Sequence, residues 1–228
     1  MRITSRPSIY QGCDLMTENT TAQKPIKLLI SKLKANNIQA YLAEDRETAV
    51  RMALGLIPPG SKVAMGNSLT LRETGIVQAL TAGSYDLINQ FEPGISAEEN
   101  GKRRRQGLLA DVYFTGTNAL TMDGELVNID GKGNRVAAMI FGPGRVIVVA
   151  GRNKVVDNQH KAWLSIRNRV APALAKKLGR STPCASTGVC ADCRSPERIC
   201  RFYTVIKSQM PADRDRIHVI IVNEDLGL

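Results

Sequence analysis

The sequence predicts an α/β fold in three layers, a mostly parallel sheet with helices on both faces. Three observations predict it. Short continuous apolar runs, of which "RVIVVAG" at 145–151 is the purest, alternate with stretches of helical periodicity. Such runs lack the in–out alternation of a sheet with one wet face, so both faces of the strands are covered. Apolar residues make up 43% of 228, enough for the core of one large domain, and no internal repeat divides the chain.

The elements follow in order. Residues 1–20 lack periodicity and read as a mobile extension, with one domain over 21–228. Ile26, Leu29, Ile30 and Leu33 share one face of a helix over 24–37. A strand fits 38–43 and an amphipathic helix 44–57, stopped by Pro58-Pro59-Gly60. A buried strand fits 61–65. Gly66-Asn67-Ser68 then opens a helix to about Thr81, and a strand fits 85–89. Ser96 with Glu99 three residues on is a capping-box pattern, so a helix is expected over 96–109. A strand over 111–116 precedes a hairpin over 119–130, where Asp123-Gly124 suits the positive φ of a type I′ turn. A helix over 134–141, the strand 145–151 and a long helix over 155–178, kinked at Pro172, come next. Strands over 201–207 and 216–225 close the series.

Ligands of such sheets bind at the carboxyl ends of the strands. That rule selects three loops. The first offers Gly66, Asn67, Ser68 and Arg72, where a glycine turn before a helix start suits an anion. The second is the hydroxyl-rich Thr115, Gly116, Thr117 and Asn118. The third holds Asn128, Gly131, Asn134 and Arg135 before a helix. Together they predict a pocket for a small anionic metabolite, with Arg72 and Arg135 as bidentate carboxylate or phosphate holders. Glu73 and Asp130 are the candidate acids or bases. The plainer reading makes Asp130 a cap and Glu73 a solvated first-turn carboxylate. No GxxxxGK[ST] occurs, and Gly131-Lys132-Gly133 begins only a partial dinucleotide pattern, so no nucleotide cofactor is expected. His160 and His218 read as structural, since neither sits in a triad-like pattern.

Four cysteines fall within seventeen residues of a chain that otherwise holds only Cys13. Cys184, Cys190, Cys193 and Cys200 lie in a segment spanning 181–201. Four thiolates suit tetrahedral zinc or an iron–sulfur cluster, and Arg194, Arg198 and Arg201 offset their charge. A Cys190–Cys193 disulfide and reduced buried thiols are the competing readings. The N-terminus carries no apolar signal-peptide core and no run of eighteen apolar residues exists, so the chain is expected to be cytoplasmic, off the membrane, with reduced thiols. Net charge is +10, concentrated at 101–106 and 194–201, while aromatics are only 4%. That leaves little for base stacking, so nucleic acid is not the expected partner. The fold class admits a homodimer, and no apolar stripe demands one.

Four stretches, "GNSLTLRETGI" (66–76), "ADVYFTGTNALTMDGELVNIDGKGNRVAAMIFGP" (110–143), "CADCRSPERIC" (190–200) and "RIHVIIVNEDLGL" (216–228), resemble the lactate-utilisation (LUD) domain family in its short form with a cysteine-bearing C-terminal segment. The resemblance covers about 20–228. It implies the fold shared by ribose-phosphate isomerase, glucosamine-phosphate deaminase and CoA transferases. It also implies a redox-associated role in bacterial lactate (2-hydroxyacid) oxidation, beside iron–sulfur partner proteins. Two further expectations stand next to it: an isomerase-, deaminase- or acyl-transferase-like enzyme with a structural cysteine site, and a metal- or redox-sensing binding protein. "EENG" at 98–101 is similar to the CoA-transferase glutamate motif, but it lies inside a capped helix rather than at a strand end, so Glu98 and Glu99 are not read as nucleophiles.

Overall fold

The computed structural model describes residues 17–228, with side chains from Pro25 onward, so most of the predicted 1–20 extension lies outside the described residues. Six strands form the main sheet: β1 (Gln39–Ala43), β2 (Lys62–Met65), β3 (Asp86–Ile88), β4 (Val112–Thr115), β7 (Arg145–Gly151) and β10 (Ile217–Val222). They lie in the order β1-β10-β7-β4-β2-β3, and every neighbouring pair is parallel. The mostly parallel α/β architecture expected from the apolar runs is therefore what the chain forms.

The pleat sorts each run between two cores. Val146, Val148 and Ala150 of β7, with Ile217, Val219 and Ile221 of β10, pack toward α1 (Thr17–Ala35), which contributes Ile26, Leu29 and Leu33. Ile147, Val149, Ile220 and Val222 point the other way. There they meet Ala49 and Ala53 of α2 (Arg46–Gly55), Leu71 of α3 (Leu69–Glu73), and Ile76 and Leu80 of α4 (Ile76–Ala82). Each fully buried Val, Ile or Leu stabilises by about 1.5–3 kcal/mol, so these two strands are the main apolar contribution to the sheet. His218 sits within β10, 5% exposed. Its ring stacks on Tyr41 with centroids 6.0 Å apart. Its Nε2–H donates to the Asp215 carbonyl at 2.8 Å, which leaves Nδ1 to accept from the Tyr41 hydroxyl at 3.1 Å. Burial holds its pKa below the ordinary value.

A second sheet was not expected. β5 (Ala119–Thr121), β6 (Leu126–Asp130), β8 (Val155–Val156) and β9 (Phe202–Ile206) pair in the order β8-β5-β6-β9. The pairs β5·β6 and β6·β9 are antiparallel. This sheet packs Ala119, Val127 and Ile129 on Ala162, Ile166 and Ala171 of the helix that follows it. That helix is not continuous from 155. Val155 and Val156 are a strand, α7 (Gln159–Ser165) starts at an Asn158 cap, and α8 (Ala171–Lys177) ends the run. Between them Ile166–Val170 is a π-turn in which the Ala171 N–H reaches the Ile166 carbonyl five residues back. The widened turn lies just ahead of Pro172, whose ring and missing N–H disfavour a regular α-turn there.

Capping largely follows the sequence. Asp45 and Ser68 accept from the Thr48 and Leu71 N–H groups, and Ser96 accepts from Glu99 N–H at 3.0 Å. Only half of the expected box forms at α5 (Ala97–Gln106), because the Glu99 carboxylate pairs with Arg103 one turn on, at 2.8 Å. The hairpin turn also differs from type I′. Gly124 alone has positive φ (80°), and its N–H donates to the Thr121 carbonyl, which makes a three-residue loop. The loop tip rests on the end of α1, where Asn36 Nδ2 donates to the Asp123 and Gly124 carbonyls.

A Cβ at Gly124 would stand 2.8 Å from the Leu33 backbone nitrogen. Gly124→Ala is therefore expected to cost about 2 kcal/mol or more, read as a lower urea midpoint.

Candidate functional site

Between β2 and β4 the connections diverge. From β2 the chain moves outward through α3 and α4 to β3, then returns through α5 to β4. Such a switch leaves a crevice beyond the carboxyl ends of the strands. Here it opens into a cavity of about 640 Å³.

All three sequence-selected loops reach this region. Asn67, Ser68 and Arg72 line it after β2, Gly116, Thr117 and Asn118 after β4, and Gly131 and Asn134 after β6. The first two loops touch closely, since a Cβ on Gly116 would lie 2.7 Å from Ser68 Oγ. Gly66 sits just behind, its N–H donating to the Phe114 carbonyl at 2.8 Å. Thr115 is fully buried and its hydroxyl is held by the Gly116 carbonyl. Neither of these two borders the cavity among its lining residues.

One side chain ties the loops together. Arg135 Nη1 donates to the Gly116 carbonyl at 3.0 Å and to Asn128 Oδ1 at 2.7 Å. Its Nη2 donates to Asn118 Oδ1 at 3.2 Å and to the Ile129 carbonyl at 2.7 Å. Its Nε faces Asp130 Oδ2 at 3.3 Å. All five N–H groups are thus committed within the protein, so the expectation that Arg135 grips a ligand is corrected: its donors are spent on the scaffold. Burial pushes its pKa down, while Asp130 opposes that shift.

Asn128 and Asn118 complete the knot. Asn128 Oδ1 also accepts from Thr117 Oγ1 and the Asn118 N–H, and Asn118 Oδ1 accepts from the Ile129 N–H at 2.9 Å. The two candidate acids have similar duties. Asp130 Oδ1 accepts from the Lys132 and Gly133 N–H groups at 3.0 and 2.7 Å, which shapes the turn before α6 (Asn134–Phe141). Glu73 does not line the cavity: its Oε2 accepts from the Gly227 N–H at 2.6 Å. Both carboxylates are thus engaged structurally, though not as the plainer reading had it: Asp130 shapes the turn without capping α6, whose N-cap is Gly133, and Glu73 ends α3 rather than opening it.

The cavity's charge is lopsided. Arg72, Arg104 and Lys132 line it with Arg135, and Lys154, Lys177 and Arg180 come from later in the chain. Among the described residues the single acidic side chain on the wall, Asp130, is already paired with Arg135. Among the described residues, none of the other six cations has a carboxylate partner within 4 Å. Arg72 lies over the Phe91 ring, 5.4 Å from its centroid. Gln90 is 5% exposed, its Nε2 donates to the Met65 carbonyl, and its Oε1 has no partner. Arg104, Lys132, Lys154, Lys177, Arg180 and Gln90 were all missed by the sequence reading. One signal could have found Lys154: "GRNK" follows the purest strand, at the same sheet end as the chosen loops.

The cysteine segment borders this site. Ile199 is on the cavity wall, and the Arg201 N–H donates to the Asp130 carbonyl. Cys184, Cys190, Cys193 and Cys200 are free, half-buried thiols. Cys184 Sγ lies 3.4 Å from Thr182 Oγ1, while Cys190 is an electrostatic neighbour of Arg167 and Cys200 of Tyr203. Among the described residues no three His, Cys, Asp or Glu side chains are grouped to hold a metal ion. No described helix is long and apolar enough to cross a membrane.

A family model described as LUD domain matches residues 26–222. Among solved structures, the chain is similar to a DUF162 family protein from Deinococcus radiodurans, with 15% identity and a TM-score of 0.49 over 89% of this chain and 98% of that one. It is also similar to a malonate decarboxylase alpha subunit from Acinetobacter baumannii, with 13% identity and a TM-score of 0.35 over 92% of this chain and 38% of that one. No curated protein matches it.

Two outcomes test this geometry. Arg135→Lys keeps a charge but loses the planar fork, leaving buried acceptors unpaired. It is expected to cost about 3 kcal/mol or more in a urea titration. Burial, aided by Arg169, pushes Lys154 down to about 8 from an ordinary 10.5. The folded chain therefore holds that proton less tightly than the unfolded chain, and stability rises with pH between those two values. Lys154→Met should be more stable than the parent below pH 8, by about 1–3 kcal/mol, with the gap closing toward pH 10.5 in thermal melts.

Proposed function

We propose that this chain, which belongs to the LUD domain family, binds a small anionic metabolite at the carboxyl edge of its parallel sheet, in the service of lactate (2-hydroxyacid) utilisation. One observation carries the reading: among the described residues six cations without carboxylate partners line one cavity, and the only acidic side chain there is already neutralised. Cations held close together repel one another, and an anion that enters relieves the repulsion. The Arg135 knot supports the same reading, because it sets the loops before a ligand arrives and so lowers the ordering cost of binding. The volume, about 640 Å³, suits a metabolite rather than a polymer.

A redox role with a zinc or iron–sulfur site on Cys184, Cys190, Cys193 and Cys200 is a second reading. One observation favours it: Cys190 lies against Arg167 and Cys200 against Tyr203, and these two neighbours feel each other's charge. Two of the four thiols thus share one neighbourhood. Anaerobically purified protein should then carry stoichiometric iron or zinc that Cys190→Ser loses. Metal-free protein that stays folded removes the reading.

For the anion site, calorimetry with L-lactate, pyruvate and inorganic phosphate is the direct test. At least one should bind with millimolar affinity or better, weakening as salt rises. Arg72→Ala should weaken it roughly tenfold, as expected for losing one charge-assisted contact. No binding by any of the three, at low salt, removes the proposal.

A further inference from the structure

Lys154 differs from the other cations of the cavity. It ends the short helical turn Arg152–Lys154 at the carboxyl end of β7, and only 4% of it is exposed. Among the described residues no hydrogen bond or ion pair holds its ammonium, although the side chain lines the cavity. A buried, unpartnered ammonium is costly, and such a group tends to lose its proton. Burial and Arg169 work in that direction and the Glu73 charge against it. Free amine is therefore present near neutral pH, and a desolvated lysine beside another cation is a nucleophile for carbonyl carbon. The surroundings are suited to a small electrophile. A Cβ on Gly227 would lie 3.5 Å from Lys154 Nζ and 2.7 Å from Thr70 Oγ1, so amine and hydroxyl border the same residue. Arg72, two residues on from Thr70 in α3, also lines the cavity and has no carboxylate partner.

We propose that Lys154 forms an imine with a small carbonyl compound whose anionic group is held by the neighbouring cations. This rests on the anion-cavity reading above. The amine nitrogen bonds to the carbonyl carbon and the carbonyl oxygen takes a proton, giving a carbinolamine. The carbon–oxygen bond then breaks, the carbon–nitrogen double bond forms, and one water leaves carrying both amine protons. No oxidant or reductant is consumed. The anionic group can be a carboxylate or a phosphate, and the two are separated by the probe.

The full chain is incubated with pyruvate in one arm and dihydroxyacetone phosphate in the other, reduced with borohydride, and weighed intact. One arm should give a single reduced adduct per chain, which peptide mapping places on Lys154. Inorganic phosphate should block it. Lys154→Met should give none while keeping the parent's circular dichroism, and Lys154→Arg, which keeps the charge but not the nucleophile, should give none either. Phosphate binding measured on the same samples separates the two ideas. Phosphate that binds with no adduct in either arm overturns the imine and leaves the anion cavity standing. Adducts spread over surface lysines, indifferent to phosphate, also overturn it. Neither binding nor adduct removes both.

Discussion

Everything at the carboxyl edge of the sheet depends on one buried guanidinium. Arg135 reaches acceptors after β4 and along β6 as far as its last residue, and no other type of side chain has five coplanar donors to give. Two of those acceptors are backbone carbonyls, so the grip fixes main chain rather than side-chain rotamers. Asp130 offsets the charge and also turns the chain into α6. A positive group was expected at this place. Its role turned out to be architectural, and the cations left free lie around it.

That division has an energetic consequence. Among the described residues six cations with no carboxylate within 4 Å line this cavity in a chain that carries +10 net, and like charge gathered in this way works against folding. Among the described residues Asp130 is the one acidic side chain on the wall, and it is spent on Arg135, so it relieves the others little. The cysteine segment belongs to the same neighbourhood, since Ile199 walls the cavity and Arg201 is hydrogen-bonded to the Asp130 backbone. Anything that orders or rearranges that segment moves one side of the cavity.

The parallel sheet was legible because β7 and β10 are apolar at nearly every position, Arg145 and His218 aside, and only a strand covered on both faces needs that. The loops at its carboxyl edge were legible from topology alone. The second sheet was not. β8 is two residues long and pairs with β5 across more than thirty positions, so no local pattern marks it. The Asp-Gly turn was placed correctly but typed wrongly, because its geometry is set by the docking of the tip on Asn36. Arg135 was picked for its charge, while its buried partners are a tertiary fact. Lys177, Arg180 and Ile199 reach the cavity only because α8 and the cysteine segment fold back over it, and spacing in sequence carries no trace of that.

The strand order has one more consequence, for how the protein is made. β10 lies between β1 and β7, so β1 has no partner in this sheet until residues 217–222 have been synthesised. A nascent chain on the ribosome therefore holds a lone strand and a four-stranded sheet with bare hydrogen-bonding edges. Closing them is a long-range event in which the latecomer slides between partners already in place, the slow kind of step in sheet assembly. Chaperone demand and aggregation risk should concentrate in that interval, before the gap between β1 and β7 is filled.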